Sequence, residues 1–226
     1  MARPWKTLEE IETNEGKMVL LQRGPGDFII RMNEYVLMNS RLNLTELALG
    51  KSAVELLAAK ENLSVLIGGL GMGYTLRATL DALPQNASVR VGELNPTVVA
   101  WCKEHLRGLT SAAVEDPRVD VVIGDVALLI QKAATVPDAQ KYNAIILDLY
   151  QGTHDARTDP NCPFYGRRAL ESAHEALRKN GVFAAWTEQS DDRFQKRLTE
   201  VGFDVRLTRP GKGGPRHAVY LGRKKG

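Results

Sequence analysis

Apolar positions along the chain fall into two regimes. Up to residue 41 they come in short blocks broken by turn residues. Met18 to Gln22 is largely apolar, Gly24-Pro25-Gly26-Asp27 reads as a turn, Phe28-Ile29-Ile30 resumes the apolar run, and Asn33-Glu34 precedes Tyr35-Val36-Leu37. Blocks of this length separated by Gly, Pro, Asn and Asp predict a small antiparallel β-meander over residues 1–41. Between residues 42 and 59 the period changes. Leu44, Leu47, Ala48, Val54 and Leu57 share one broad helical face, and Asn43 or Thr45 stands where a helix cap would.

From residue 63 onward, β-branched runs alternate with helical patterns. The runs are Leu63–Ile67, Val89–Val91, Val119–Ile123, Ala144–Leu147 and Val182–Ala185; the helical patterns are Thr75–Ala82, Pro96–Leu106, Val126–Ala134 and Arg167–Arg178. Short, continuously apolar strands joined by helices predict a parallel sheet covered on both faces. An amphipathic stretch, Asp191–Glu200, then leads to Phe203–Leu207 and Ala218–Leu221. These two runs flank the turn-rich segment from Arg209 to Pro215 and read as a terminal hairpin. The expected fold class is α/β: a Rossmann-like sheet with a C-terminal antiparallel hairpin over residues 42–226, preceded by the meander.

Composition narrows the setting. At 226 residues and 24.9 kDa, folding buries about 70% of the chain's surface, enough for a core without disulfides. Two cysteines, Cys102 and Cys162, form neither a disulfide framework nor a zinc set, and the four histidines show no ligand spacing. Cys102 reads as a core residue, Cys162 as a loop thiol. No apolar run approaches membrane-spanning length, and Glu9 and Glu10 precede any apolar block, so neither a span nor a signal peptide is expected. The expected compartment is the cytoplasm. Thirty basic and 27 acidic residues leave +3, with seven Lys/Arg and no acid from Arg206 onward. Without interleaved aromatics that tail reads as a solvated surface rather than a nucleic-acid site.

The chemistry lies at strand ends. Gly69, Gly71 and Gly73 form G-x-G-x-G between the first parallel strand and its helix, where glycines permit a tight turn and close backbone approach by a ligand. Glu93 ends the second parallel strand, 20 residues after Gly73, where a carboxylate can accept both hydroxyls of a ribose. Gly124-Asp125-Val126 ends the third strand at the same edge and suits an adenine amino group. Asp148 ends the fourth, at the place of a base or an anchor for an attacking amine, and Tyr150 and Gln151 follow as candidates to shape an acceptor pocket. These positions suit a nucleotide-type ligand and do not by themselves separate a nicotinamide dinucleotide from S-adenosylmethionine. The terminal hairpin favours the second.

The segments Ile67–Arg77, Gly92-Glu93-Leu94-Asn95, Gly124-Asp125 and Tyr142–Asp148, with Phe164-Tyr165 and Asn180-Gly181-Val182, resemble the spermidine synthase family and its short bacterial relatives. So does the N-terminal meander from Gly26 to Arg41. The resemblance implies the class I S-adenosylmethionine-dependent methyltransferase fold. It implies that the glycine loop holds the amino-acid or aminopropyl part of the donor, Glu93 the ribose and Asp125 the adenine. It implies that Asp148 orients and deprotonates an attacking amine, and that the chain forms a homodimer. Two of the family's acids are replaced, one by Met72 in the glycine loop and one by Gln151 after Asp148. The family's Y-H-E segment has no evident counterpart, with Leu44-Thr45-Glu46 standing near it. A buried dication without compensating acids is costly. From the sequence, therefore, the favoured reading is an S-adenosylmethionine-dependent methyltransferase acting on an unidentified acceptor, either a small molecule or a protein. The alternatives are aminopropyl transfer from decarboxylated S-adenosylmethionine, a non-enzymatic cofactor-binding module, and a nicotinamide oxidoreductase.

Overall fold

The computed structural model describes residues 3–59, 61–149, 161–211 and 217–225. Its first four strands, β1 (Lys6–Thr13), β2 (Gly16–Gln22), β3 (Phe28–Met32) and β4 (Tyr35–Asn39), pair in sequence order as an antiparallel sheet. Strand β1 is absent from the sequence reading for a physical reason. Thr7 pairs with Leu21 and Glu9 with Leu20, so Leu8 is the extra residue of a bulge. The bulge shifts the alternation by one, letting both Leu8 and Ile11 pack on the core although they lie three positions apart.

Helix α1 (Leu44–Glu55) follows, shorter than the expected span at both ends. Neither proposed cap works as one: Asn43 occupies the N-cap position without a side-chain bond to the helix, and Thr45 is engaged elsewhere. Then come β5 (Ser64–Gly68), α2 (Tyr74–Ala82), β6 (Ser88–Glu93), α3 (Pro96–Lys103), β7 (Val119–Ile123), α4 (Val126–Ala134) and β8 (Tyr142–Leu147). Beyond residue 160 lie α5 (Arg167–Ala176), β9 (Leu177–Thr187), α6 (Asp192–Val201), β10 (Phe203–Thr208) and β11 (Ala218–Lys224). Helix α5 stops before the expected Arg178 because Leu177 already pairs with Tyr142 of β8.

The main sheet has seven strands in the order β10-β11-β9-β8-β5-β6-β7. The five from β9 to β7 run parallel, and the terminal hairpin adds antiparallel. Alternate strand residues feed two cores. Val65, Ile67, Ala144 and Ile146 face α1 to α3 and the N-terminal sheet, whose Met18, Leu20, Phe28 and Ile30 join the same cluster. Leu66, Ile145 and Leu147 face the other layer, with Tyr165, Phe183, Phe194 and Tyr220. A single four-stranded meander could not bury its apolar face alone; it does so on the α/β unit.

One packing detail positions the site. A Cβ on Gly50 of α1 would stand 2.5 Å from the Thr75 carbonyl oxygen of α2. Only glycine allows this approach, and it brings the first turn of α1 against the first turn of α2.

Candidate active site

In the strand order, β6 and β7 extend from one side of β5, while β8 and β9 extend from the other. The crevice of an open α/β sheet forms where the order reverses, at the C-terminal ends of the strands, here between β5 and β8. The glycine loop fills that place. Gly69, Gly71 and Gly73 have φ of +86°, +51° and +83°, the left-handed region costly for other residues. A side chain at Gly69 would also collide with the Asp148 carbonyl, and one at Gly71 with the Met38 thioether. The loop is held from below. Gly69 N–H donates to the Gly92 carbonyl at 2.9 Å and Asp148 N–H to the Gly68 carbonyl at 2.8 Å. Met72 N–H donates to Met38 Sδ at 3.2 Å, and Cys102 Sγ lies 3.2 Å from the Gly71 carbonyl. Burial pushes the Cys102 thiol up to about 12, leaving it a packing group. Met72 is fully buried.

Glu93 and Asp125 stand at the same edge, as expected. Glu93 is buried, and its two oxygens accept the backbone N–H groups of Leu70 and Asn95, each at 2.8 Å. The carboxylate thus ties the glycine loop to the end of β6 and keeps lone pairs for a further donor. Asp125 caps α4 by accepting from Ala127 N–H at 2.8 Å. Val126 is buried, with its side chain against Gly68 and Gly92, so its offer to a ligand is its backbone at the start of α4. Three large apolar residues remain exposed along this edge: Leu94, Ile123 and Leu128 at 68%, 50% and 62%.

On the other side of the loop, Asp148 sits half-buried at the end of β8. Thr75 Oγ1 lies 2.6 Å from its Oδ2 and 3.2 Å from the Glu46 carbonyl oxygen, and donates at the shorter distance. Crowding by protein raises the Asp148 carboxyl from 3.8 to about 6, against the Thr75 hydroxyl and the nearby Trp186 indole N–H, both of which favour its charge. Glu46, on the first turns of α1, is raised from 4.5 to about 7 by burial first and then by the negative charge of Asp148. Glu46 is the site residue that sequence reasoning missed. The chain's own position for it, near the expected Y-H-E segment, was the one available signal. Thr75 was also missed, as an unexceptional residue of a helical pattern. Tyr150 and Gln151, together with His154 and Asp155, lie outside the described residues. Cys162, read as a loop thiol, is buried in the second core.

Away from the crevice, Glu9 of β1 comes close to Glu104 and His105, their ligand-type atoms within 4.8 Å of one another. Glu9 accepts from the Trp101 indole at 2.8 Å and lies 2.8 Å from His105 Nε2, which clamps β1 to the end of α3.

The fold is that of the class I methyltransferase-like proteins, with carboxylates ranged along the strand ends of its crevice. The family model for the spermine/spermidine synthase domain matches residues 52–197, and the chain belongs to that family. Among curated relatives, polyamine aminopropyltransferase 2 of Pseudomonas aeruginosa is 31% identical over 129 residues, covering 57% of this chain and 34% of that protein. The polyamine aminopropyltransferase of Sulfolobus acidocaldarius is 25% identical over 164 residues, covering 67% of this chain and 52% of that protein. The chain thus spans about a third to a half of the length of these relatives. Among solved structures, the spermidine synthase from Thermotoga maritima superposes with a TM-score of 0.75 at 19% identity, over 98% of this chain and 73% of that one. A spermidine synthase in complex with the transition-state analogue AdoDATO gives 0.74, also at 19% identity.

These findings correct the sequence reading in one respect. Methyl transfer, favoured there, is overturned by relatives named for aminopropyl transfer. The physical error is visible. The preference rested on a shortage of acids facing a dication, judged from the neighbours of Met72 and Gln151 in sequence. Folding supplies an acid from a distant helix, Glu46, beside Asp148.

Proposed function

We propose that the protein is a polyamine aminopropyltransferase, moving an aminopropyl group from decarboxylated S-adenosylmethionine to a small di- or polyamine. The observation that carries this reading is the Glu46–Asp148 pair beside the glycine loop. The charge of Asp148 adds to burial in raising the proton affinity of Glu46, and that strain is relieved when a cationic ligand sits between the two carboxylates. A methyl acceptor of no particular charge would not call for it. The donor would lie along the opposite side of the loop, with its ribose on Glu93, its adenine near Asp125 and the Val126 backbone, and an apolar surface supplied by Leu94, Ile123 and Leu128.

In this arrangement Asp148 takes a proton from the acceptor ammonium, to which its raised pKa suits it. The freed amine lone pair forms a bond to the carbon next to the sulfonium. The carbon–sulfur pair stays on sulfur, which leaves as a neutral thioether. The protein's contribution is alignment of amine, carbon and sulfur together with neutralisation of the acceptor's charge. Residues 1–41 would serve as a cover continuous with the main core and as part of a homodimer contact.

The test is incubation of the protein with decarboxylated S-adenosylmethionine and a panel of diamines, read by mass spectrometry. Methylthioadenosine formed in equal amount with a lengthened polyamine is the expected result. Absence of both with every amine, from protein shown to bind the donor, would refute the reading.

A further inference from the structure

Resting on that acceptor reading, we propose that Trp186 is a specificity-determining residue of the acceptor pocket, held in place by a stack on His217 that Thr45 anchors. A closed circuit of contacts carries the inference. Ala185 pairs with Leu147, so the next residues, Trp186 and Asp148, stand side by side at the ends of β9 and β8. The Trp186 and His217 rings lie 5.2 Å apart at 43°. His217 Nδ1 is 2.8 Å from Thr45 Oγ1. Thr45 directly precedes Glu46, whose carbonyl is within reach of Thr75, and Thr75 donates to Asp148. Starting on α1, the circuit thus passes through the terminal hairpin, β9, β8 and α2 and returns to α1. Asp148 sits on it by its carboxylate and Glu46 by its main-chain carbonyl.

Trp186 has chemistry to spare at this point. Its indole Nε1 is buried without a hydrogen-bond partner of normal geometry among the described residues, yet lies near enough to Asp148 to favour the charged carboxylate. Buried donors are rarely left unpaired, so this one is a group waiting for a small shift of the carboxylate or for a ligand. An alkyl diamine is cationic at both ends and apolar between. An indole face packs on the methylenes and attracts an ammonium through its π-system, while the carboxylates hold the charges. The position of that face therefore limits which acceptor lengths fit. Among the described residues, the charged or titratable groups facing Asp148 are Glu46 from α1 and Tyr165 ahead of α5, with His217 behind the indole.

Three variants separate the contributions. W186F keeps an aromatic face and removes the N–H, W186A removes both, and T45V releases His217. With decarboxylated S-adenosylmethionine as donor and 1,3-diaminopropane, 1,4-diaminobutane and spermidine as acceptors, W186A should raise acceptor KM by ~10-fold or more and change the order of preference. Donor KM should stay within about 2-fold. T45V should fall between wild type and W186A, and W186F should move the acid limb of kcat/KM upward. Unchanged acceptor KM and preference in folded W186A, or equal rises for donor and acceptor, would overturn the proposal. A readout independent of turnover is the Trp186 indole ¹⁵N–¹H resonance, identified by its loss in W186F and titrated with 1,4-diaminobutane. A shift in wild type that disappears in D148N supports the assignment even if no aminopropyl transfer is found, which would count against the activity alone. An unmoved resonance overturns it even in an active enzyme.

Discussion

Replacing Glu46 by Gln removes one of two neighbouring negative charges while keeping the side chain's shape, so one substitution tests both the electrostatics and the role of the pair. Burial and the Asp148 charge move the Glu46 carboxyl from 4.5 to about 7. At about 1.4 kcal/mol per pKa unit, an ionised Glu46 costs the folded state at most about 3 kcal/mol. Solvent reaching the half-buried carboxyl, and the sharing of the cost with Asp148, bring the expected effect to about 1–2 kcal/mol. The unfolded chain ionises this group near 4.5 and the folded protein only near 7. The unfolded state therefore releases its proton first, and stability falls as pH rises through that window, with the loss complete above it. E46Q should match the wild type at pH 4 and exceed it at pH 8, with Tm raised by roughly 2–8 °C for a chain of this size. Scanning calorimetry of ligand-free protein at the two pH values reads this directly. In the same variant the loss of a charge-assisted hydrogen bond of ~1.5–3 kcal/mol should raise acceptor KM by roughly 10–100-fold and leave donor binding unchanged. An E46Q protein less stable than wild type at pH 8 would refute the repulsion. A stabilised variant with unaltered acceptor KM would refute the acceptor role.

Other outcomes follow from the same geometry. D148N should lower turnover roughly 10²–10⁴-fold with little change in donor affinity by calorimetry, and full activity would remove Asp148 from the chemistry. Loss of the two-pronged ribose contact in E93A should weaken donor binding by ~1–3 kcal/mol, and an unchanged calorimetric Kd would rule out that assignment. G69A places a side chain against the Asp148 carbonyl at a φ of +86°; urea unfolding should show a loss of roughly 2–4 kcal/mol, and a neutral substitution would mean the loop is not held as described. Light scattering at micromolar protein should report a dimer, and a monomer would contradict the proposed assembly.

Much of the crevice was legible in the sequence because parallel strands impose simple arithmetic. Each strand of a βαβ series ends at the same edge, so the residues that close the apolar runs, Gly69, Glu93, Asp125 and Asp148, must gather there once the runs are identified. The glycines announced their own backbone. The terminal hairpin was likewise written in the turn residues between Leu207 and Ala218. Strand β1 was not, because a bulge at Leu8 breaks the period by which a strand is recognised.

The partner of Asp148 was beyond reach for a deeper reason. Periodicity says which face of a helix is buried, not what it will meet. Glu46 comes to Asp148 because α1 can settle on α2 at the one point where Gly50 lets the backbones close to contact. Trp186 and His217 meet because β11 returns antiparallel beside β9, with Val219 opposite Trp186. The sequence determined the sheet, its edge and the carboxylates and glycines proposed to hold the donor, since those depend on neighbours along the chain. Only the tertiary structure decided the surroundings of Asp148, the proposed acceptor side, since its charges and rings come from layers whose spacing is set by packing between elements far apart in sequence.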